Sequence, residues 1–264
     1  FANSDGGKLY IGIDDNGKIK RAGVLLFHKD PQKYFLNSHI KIGFFDKNDA
    51  DLVFQDEVYG SLIKQVDITM NLIFAKYLKG LIYYKGVQRI DQYPIDRDGF
   101  REILINAIIH KDYSIKNPIQ ISVYKDKVYI FNEGEFPEKL NTEDVLYKKH
   151  SSKPYNPTIA NVFYKAGFIE GWGRGFEKIM EGIKRNPGVR PEYKIDESGV
   201  MVCYKACKKY MELLKEKTNE VHYCCNENIH KETKANIYCS YCLKWYCSNC
   251  GQKIHWTLPE EKKQ

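Results

Sequence analysis

One stretch, Asp98 to Ser114 (DGFREILINAIIHKDYS), constrains the fold most, because it asks a single helix to be both buried and polar. Phe100, Ile103, Leu104, Ala107 and Ile108 recur at the spacing of one buried stripe, and Asp98 stands where it can cap the start. Glu102, Asn106 and His110 follow one another at intervals of four, so their side chains leave the helix on one side. Such a face is either solvated or turned towards a ligand. Carboxylate, amide and imidazole together can hold a hydrated Mg²⁺ and orient a water, since Mg²⁺ prefers oxygen ligands and keeps part of its water shell.

A chain of 264 residues and 30.9 kDa can bury a proper core around that helix and has room for one or two domains. The formal charge of +7 and pI near 8.8 permit contact with nucleic acid. The basic residues are dispersed, however, so solubility explains them equally well. No run approaches the ~18 apolar residues of a membrane span, and no signal peptide is visible. The chain starts at Phe1 without a Met, so a genuine N-terminus with a targeting segment can lie ahead of it. Six of the eight cysteines fall between Cys224 and Cys250 beside His222, His230 and His255. That clustering favours metal over disulfides and a reducing compartment, cytoplasmic, or nuclear in a eukaryote.

Leu9, Ile11 and Ile13 alternate between Asp5-Gly6-Gly7 and Asp14-Asp15-Asn16-Gly17, which predicts a strand between turns. A helix follows, then a strand over His39 to Phe45 with Asp30-Pro31 as a breaker between them. Residues 60–84 are apolar at helical intervals and predict one long helix, and Val87 to Tyr93 a short strand closed by Pro94. Ile119 to Tyr124 and Lys127 to Asn132 read as an antiparallel hairpin. A polar connection holds His150-Ser151-Ser152-Lys153-Pro154, and Asn156-Pro157 starts a helix through Lys165. Gly171-Trp172-Gly173-Arg174-Gly175 precedes the helical run Phe176 to Lys184, and a hairpin over Tyr193 to Tyr204 ends the domain. A glycine-rich turn entering a helix offers N–H groups to phosphates, but it equally relieves a tight junction.

Two family resemblances rest on these motifs. FANSDGGKLYIGIDDNG resembles the signature of the Schlafen AlbA-like DNA-binding domain, and RAGVLLFHKDP resembles the segment after it in RecG-related proteins. Only Lys18 to Lys20 separate the two, so residues 1–19 are expected to be a remnant without DNA-binding or nuclease properties. The order of an E-x-x-x-N helix, a strand ending in N-x-G, HSSKPYNP and GWGRG resembles the nucleotide-binding fold shared by gyrase, sensor histidine kinases and MutL. The variant is the ATP-binding C-terminal domain of RecG-related proteins, over residues 20–205. The resemblance implies Mg-ATP as ligand, Glu102 as the group polarising the attacking water, Asn106 as the Mg²⁺ ligand and His110 as family-typical. It sets Asn132 where the fold usually has an Asp for the adenine amino group, and Gly134 where the backbone approaches the base. Ser151, Ser152 and Lys153 fall in a lid, and Gly171, Gly173 and Gly175 along the triphosphate. Asn132 discriminates adenine less sharply than a carboxylate. Phe136 replaces a common second glycine, so binding is expected ahead of hydrolysis, with weak ATPase activity at most. The resemblance further implies transcription control or DNA-linked defence. Helicase activity is not implied, since no G-x4-G-K-(S/T) is present.

Residues 206–220 read as a charged helical linker, with Cys203 and Cys207 as ordinary packed thiols. Beyond it, Cys225, His230, Cys239, Cys242, Cys247, Cys250 and His255 have the pairing and N/S chemistry of tetrahedral zinc. Residues 221–258 resemble a B-box zinc finger, which implies Cys225, His230, Cys247 and Cys250 on one ion and Cys239, Cys242 and His255 on another. The family's last histidine is absent at Leu258, so the eighth ligand and the number of zinc ions, one or two, stay open. B-box modules usually join proteins. From Ala206 onward ten Lys face seven Glu without any Arg, which gives no concentrated phosphate-binding face. The expected architecture is therefore α+β, a mixed or antiparallel sheet layered with helices, followed by a small zinc module. Its alternative function is a non-enzymatic interaction protein with a degenerate nucleotide site.

Overall fold

The computed structural model describes residues 12–115, 117–134, 154–169, 179–182, 184 and 190–218, with backbone alone for 216–218, and the backbone of 236–239 and 244–247. A first unit spans Phe1–Met211 and a second Glu212–Gln264. In chain order the elements are α1 (Arg21–Phe27), β1 (Ile40–Phe45), β2 (Leu52–Val58), α2 (Leu62–Leu72), β3 (Leu81–Lys85), β4 (Gln88–Gln92) and α3 (Arg97–His110). They continue as β5 (Ile119–Val123), β6 (Lys127–Asn132), α4 (Pro157–Lys165), β7 (Glu192–Asp196), β8 (Gly199–Lys205), α5 (Lys208–Thr218), β9 (Asn236–Cys239) and β10 (Lys244–Cys247).

Six strands form one mixed sheet in the order β2-β1-β5-β6-β8-β7, parallel only between β1 and β5. One face of β6 and β8, Val128, Ile130, Val202 and Tyr204, is buried, and α1 to α4 form the layer that covers that side. The core interleaves these residues with Phe100, Ile103, Leu104 and Ile108 of α3 and Phe163 of α4. The sheet is mixed and the helices are layered on it, as the α+β expectation has it.

Three elements depart from the sequence expectation. The long helix over 60–84 stops early: α2 passes into a π-helical turn at Ile73–Tyr77, and Leu81–Lys85 pairs with β4 as a hairpin. Short apolar runs fit both periods, and Leu81 to Tyr84 is such a run. Strand β2 has no sequence forecast, because its alternation is blurred by edge exposure at Leu52 and Val53. Helix α3 is capped by Asp96, whose Oδ2 accepts from Gly99 N at 2.8 Å, not by Asp98. It ends at His110, four residues before Ser114, where Asp112 Oδ1 takes the Ser114 N–H in a local turn.

Residues 206–211 pack on the first unit. Ala206 N donates to Asp126 O and Cys207 N to Pro94 O, and both residues are buried. Cys203 and Cys207 are buried in the packed interior, as expected. Near the front, Ile13 bridges Ile19 antiparallel and Lys20 N donates to Gly12 O, so residues 12–20 form a turn closed by one isolated bridge, with Gly12 close against Gly23 of α1. The rest of the AlbA-like motif lies outside the described residues.

Candidate functional site

Helix α3 turns its polar stripe inward. Glu102 is 4% exposed, and Asn106 and His110 are half-buried, so none of the three is on open surface. Glu102 faces the β7–β8 end of the sheet. Burial raises the pKa of Tyr193 on β7 well above the phenol range, and the Glu102 carboxylate adds to that shift. Burial lowers the pKa of His110, which favours its neutral form.

The C-terminus of α3 meets the end of β6. A Cβ on Gly134 would lie 2.1 Å from the carbonyl oxygen of His110, and Asp112 N donates to Glu133 O at 2.8 Å. The sequence reading assigned Gly134 to a base; its first requirement is the α3 backbone. Asn132 is 3% exposed, and its Nδ2 has no hydrogen-bond partner among the described residues. Lys111, 1% exposed, donates Nζ to the carbonyls of Asn117 and Asp112, while Asn117 Nδ2 donates to Glu133 Oε1. Burial lowers the Lys111 pKa against the opposing pull of Glu133 and Asp112. This network fastens the loop after α3 to the strand end that carries Asn132.

Further along the chain, residues flanking the two remaining motifs also land on α3. Asn156 Nδ2 donates to Ile109 O at 2.8 Å and Lys111 O at 2.7 Å, fixing the return point of the segment that holds Ser151 and Ser152. Arg101 donates to Phe168 O at 3.1 Å just before the glycine-rich turn, and Gly182, beyond it, packs against the Asp96 carboxylate. Ser151, Ser152, Gly171, Gly173 and Gly175 themselves lie outside the described residues, as does Phe136. Asn156 and Arg101 escaped the sequence reading. Asn-Pro reads as a helix start, and an arginine on a helix face carries no local sign of a carbonyl partner far along the chain.

Among the zinc candidates, Cys225, His230, Cys242, Cys250 and His255 lie outside the described residues. Cys239 and Cys247 are placed at backbone level in the β9–β10 hairpin, Cys239 opposite Lys244 and Cys247 opposite Asn236. Three strand positions separate them, about 10 Å. Among the described residues no group of three or more His, Cys, Asp or Glu side chains could hold a metal, and no helix is long and apolar enough to cross a membrane.

The fold is α+β, with this helix–strand junction beside the mixed sheet. Residues 116–203, a third of the chain, match the family model described as "Putative ATP-dependent DNA helicase recG C-terminal". The match includes Asn132, Gly134 and both glycine and serine motifs; α3 precedes it. The DIP2311 protein from Corynebacterium diphtheriae is similar in fold, with 20% identity, a TM-score of 0.63 and 77% of this chain covered. This chain spans 41% of that one. The catalytic domain of histidine kinase ThkA, in a nucleotide-free form, aligns with 16% identity over 64% of this chain and 80% of its own, with a TM-score of 0.30. No curated protein matches.

Proposed function

We propose that the first unit binds Mg-ATP at the α3–β6 junction and serves as a nucleotide-responsive regulatory domain with slow hydrolysis at most. The observation that carries this is the inward stripe of α3, with Glu102 buried beside a strand end whose Asn132 amide nitrogen lacks a partner among the described residues. The donor set fits the ligand. An amide oxygen at Asn106 and no protein cage suit Mg²⁺, which binds through few side chains plus phosphate oxygens and retained waters. Bound there, the ion would neutralise triphosphate charge. Asn106 would be the protein's ligand to it and Glu102 the general base for the attacking water, with neutral His110 on the same face of α3. Gly171, Gly173 and Gly175 would give N–H groups to the phosphates, and Ser151 and Ser152 would close over them. A fluorescent ATP analogue titrated with and without Mg²⁺ tests the reading. Asn106→Ala should abolish the Mg²⁺-dependent part of the affinity; undiminished affinity would remove Asn106 from the site.

A second reading takes residues 221–258 as a zinc module, with one or two ions, that binds protein partners, and the first unit as a non-enzymatic platform; the Cys and His pairing of the sequence supports it. The formal charge of +7 is compatible with DNA as a further partner, but the dispersed basic residues fit solubility equally well.

A further inference from the structure

We infer that Asn132 makes the base subsite tolerant of 6-oxopurines, so that guanine and hypoxanthine nucleoside triphosphates bind about as well as ATP. This deepens the nucleotide reading and rests on it.

The backbone around Asn132 is held from two sides. Gly199 on β8 runs at φ +137°, and a Cβ there would lie 2.4 Å from the Asn132 carbonyl oxygen. Two residues on, Gly134 lies under the His110 carbonyl. Asn132 therefore projects from a strand end clamped between β8 and α3. Its side chain is 3% exposed, and Nδ2 is a donor without an acceptor among the described residues.

A carboxylate at this position would present acceptors only. It would take the 6-amino group of adenine and repel the 6-oxo group of guanine, since two acceptors would face each other with no proton between them. An amide has both functions. Its Oδ1 can accept from the adenine amino group while Nδ2 donates to a ring nitrogen. Turned over about its last bond, it offers Nδ2 to O6 and Oδ1 to the N1–H of a 6-oxopurine. The buried orphan donor is the half of the amide that a carboxylate lacks, and O6 is an acceptor that would satisfy it.

The test is calorimetric titration of the full chain with Mg-ATP, Mg-GTP and Mg-ITP. Dissociation constants within about threefold of one another are expected, and Asn132→Asp should shift the ratio towards ATP by about tenfold or more. A preference of the unsubstituted protein for ATP over both 6-oxo nucleotides by more than about tenfold would overturn the inference, whether or not the variant folds. So would a folded Asn132→Asp protein with an unchanged ratio. Failure of all three nucleotides to bind would instead overturn the nucleotide reading itself and take this inference with it.

Discussion

A neutral histidine under a helix end makes stability sensitive to pH in a defined direction. Burial holds the His110 pKa below its ordinary 6.5, so below that value the unfolded chain takes up a proton that the folded one refuses. The stabilisation is complete above pH 6.5 and declines as pH falls through it, by at most about 1.4 kcal/mol per unit. Urea midpoints at pH 7.5, 6.5 and 5.5 should fall with pH, and fall less in His110→Asn; parallel profiles would show that the ring is not desolvated. Asp46, Asp56 and Asp112, whose carboxyls sit below their usual range, act only at more acid pH. The i, i+4 spacing was enough to select Glu102, Asn106 and His110 as a face. It could not say that Glu102 is the deepest of the three, because burial depends on where β7 and β8 return.

Helix α3 gathers its neighbours through its ends, and its C-terminal carbonyls are the more demanding. Asn156 Nδ2 donates to the carbonyls of Ile109 and Lys111; without it Ile109 O keeps the Asn156 backbone N–H, while Lys111 O loses the amide donor. Asn156→Ala should cost about 1–3 kcal/mol. In a unit of this size that lowers Tm by about 2–10 °C in a thermal scan; an unchanged Tm would mean that water replaces the amide without loss. The hairpins β5–β6 and β7–β8 and helix α4 were legible from alternation, turn residues and Asn-Pro alone. The hairpin β3–β4 was not, since the apolar spacing of α2 runs on past the π-helical turn into β3 without a break in period.

At the scale of the whole chain, the two units should respond independently to loss of metal. With under 40 residues around its cysteines and few large apolar side chains, the proposed zinc module over residues 221–258 would have too little core to fold without its metal. Chelation should expose residues beyond Glu212 to limited proteolysis and leave Phe1–Met211 resistant; equal resistance with and without chelator would refute the zinc assignment. The composition change after Lys205 marks the boundary a few residues early, because Ala206, Cys207 and Tyr210 are buried on the first unit. By itself the sequence determined the α+β class and the periodic face of α3, both of which follow from local spacing and side-chain type. Only the tertiary structure decided that Gly134 makes room for a helix end and that Asn156 and Arg101 tie distant segments to α3. It alone left the Asn132 amide buried without a partner among the described residues, since such contacts join residues far apart in the chain and leave no periodic trace in it.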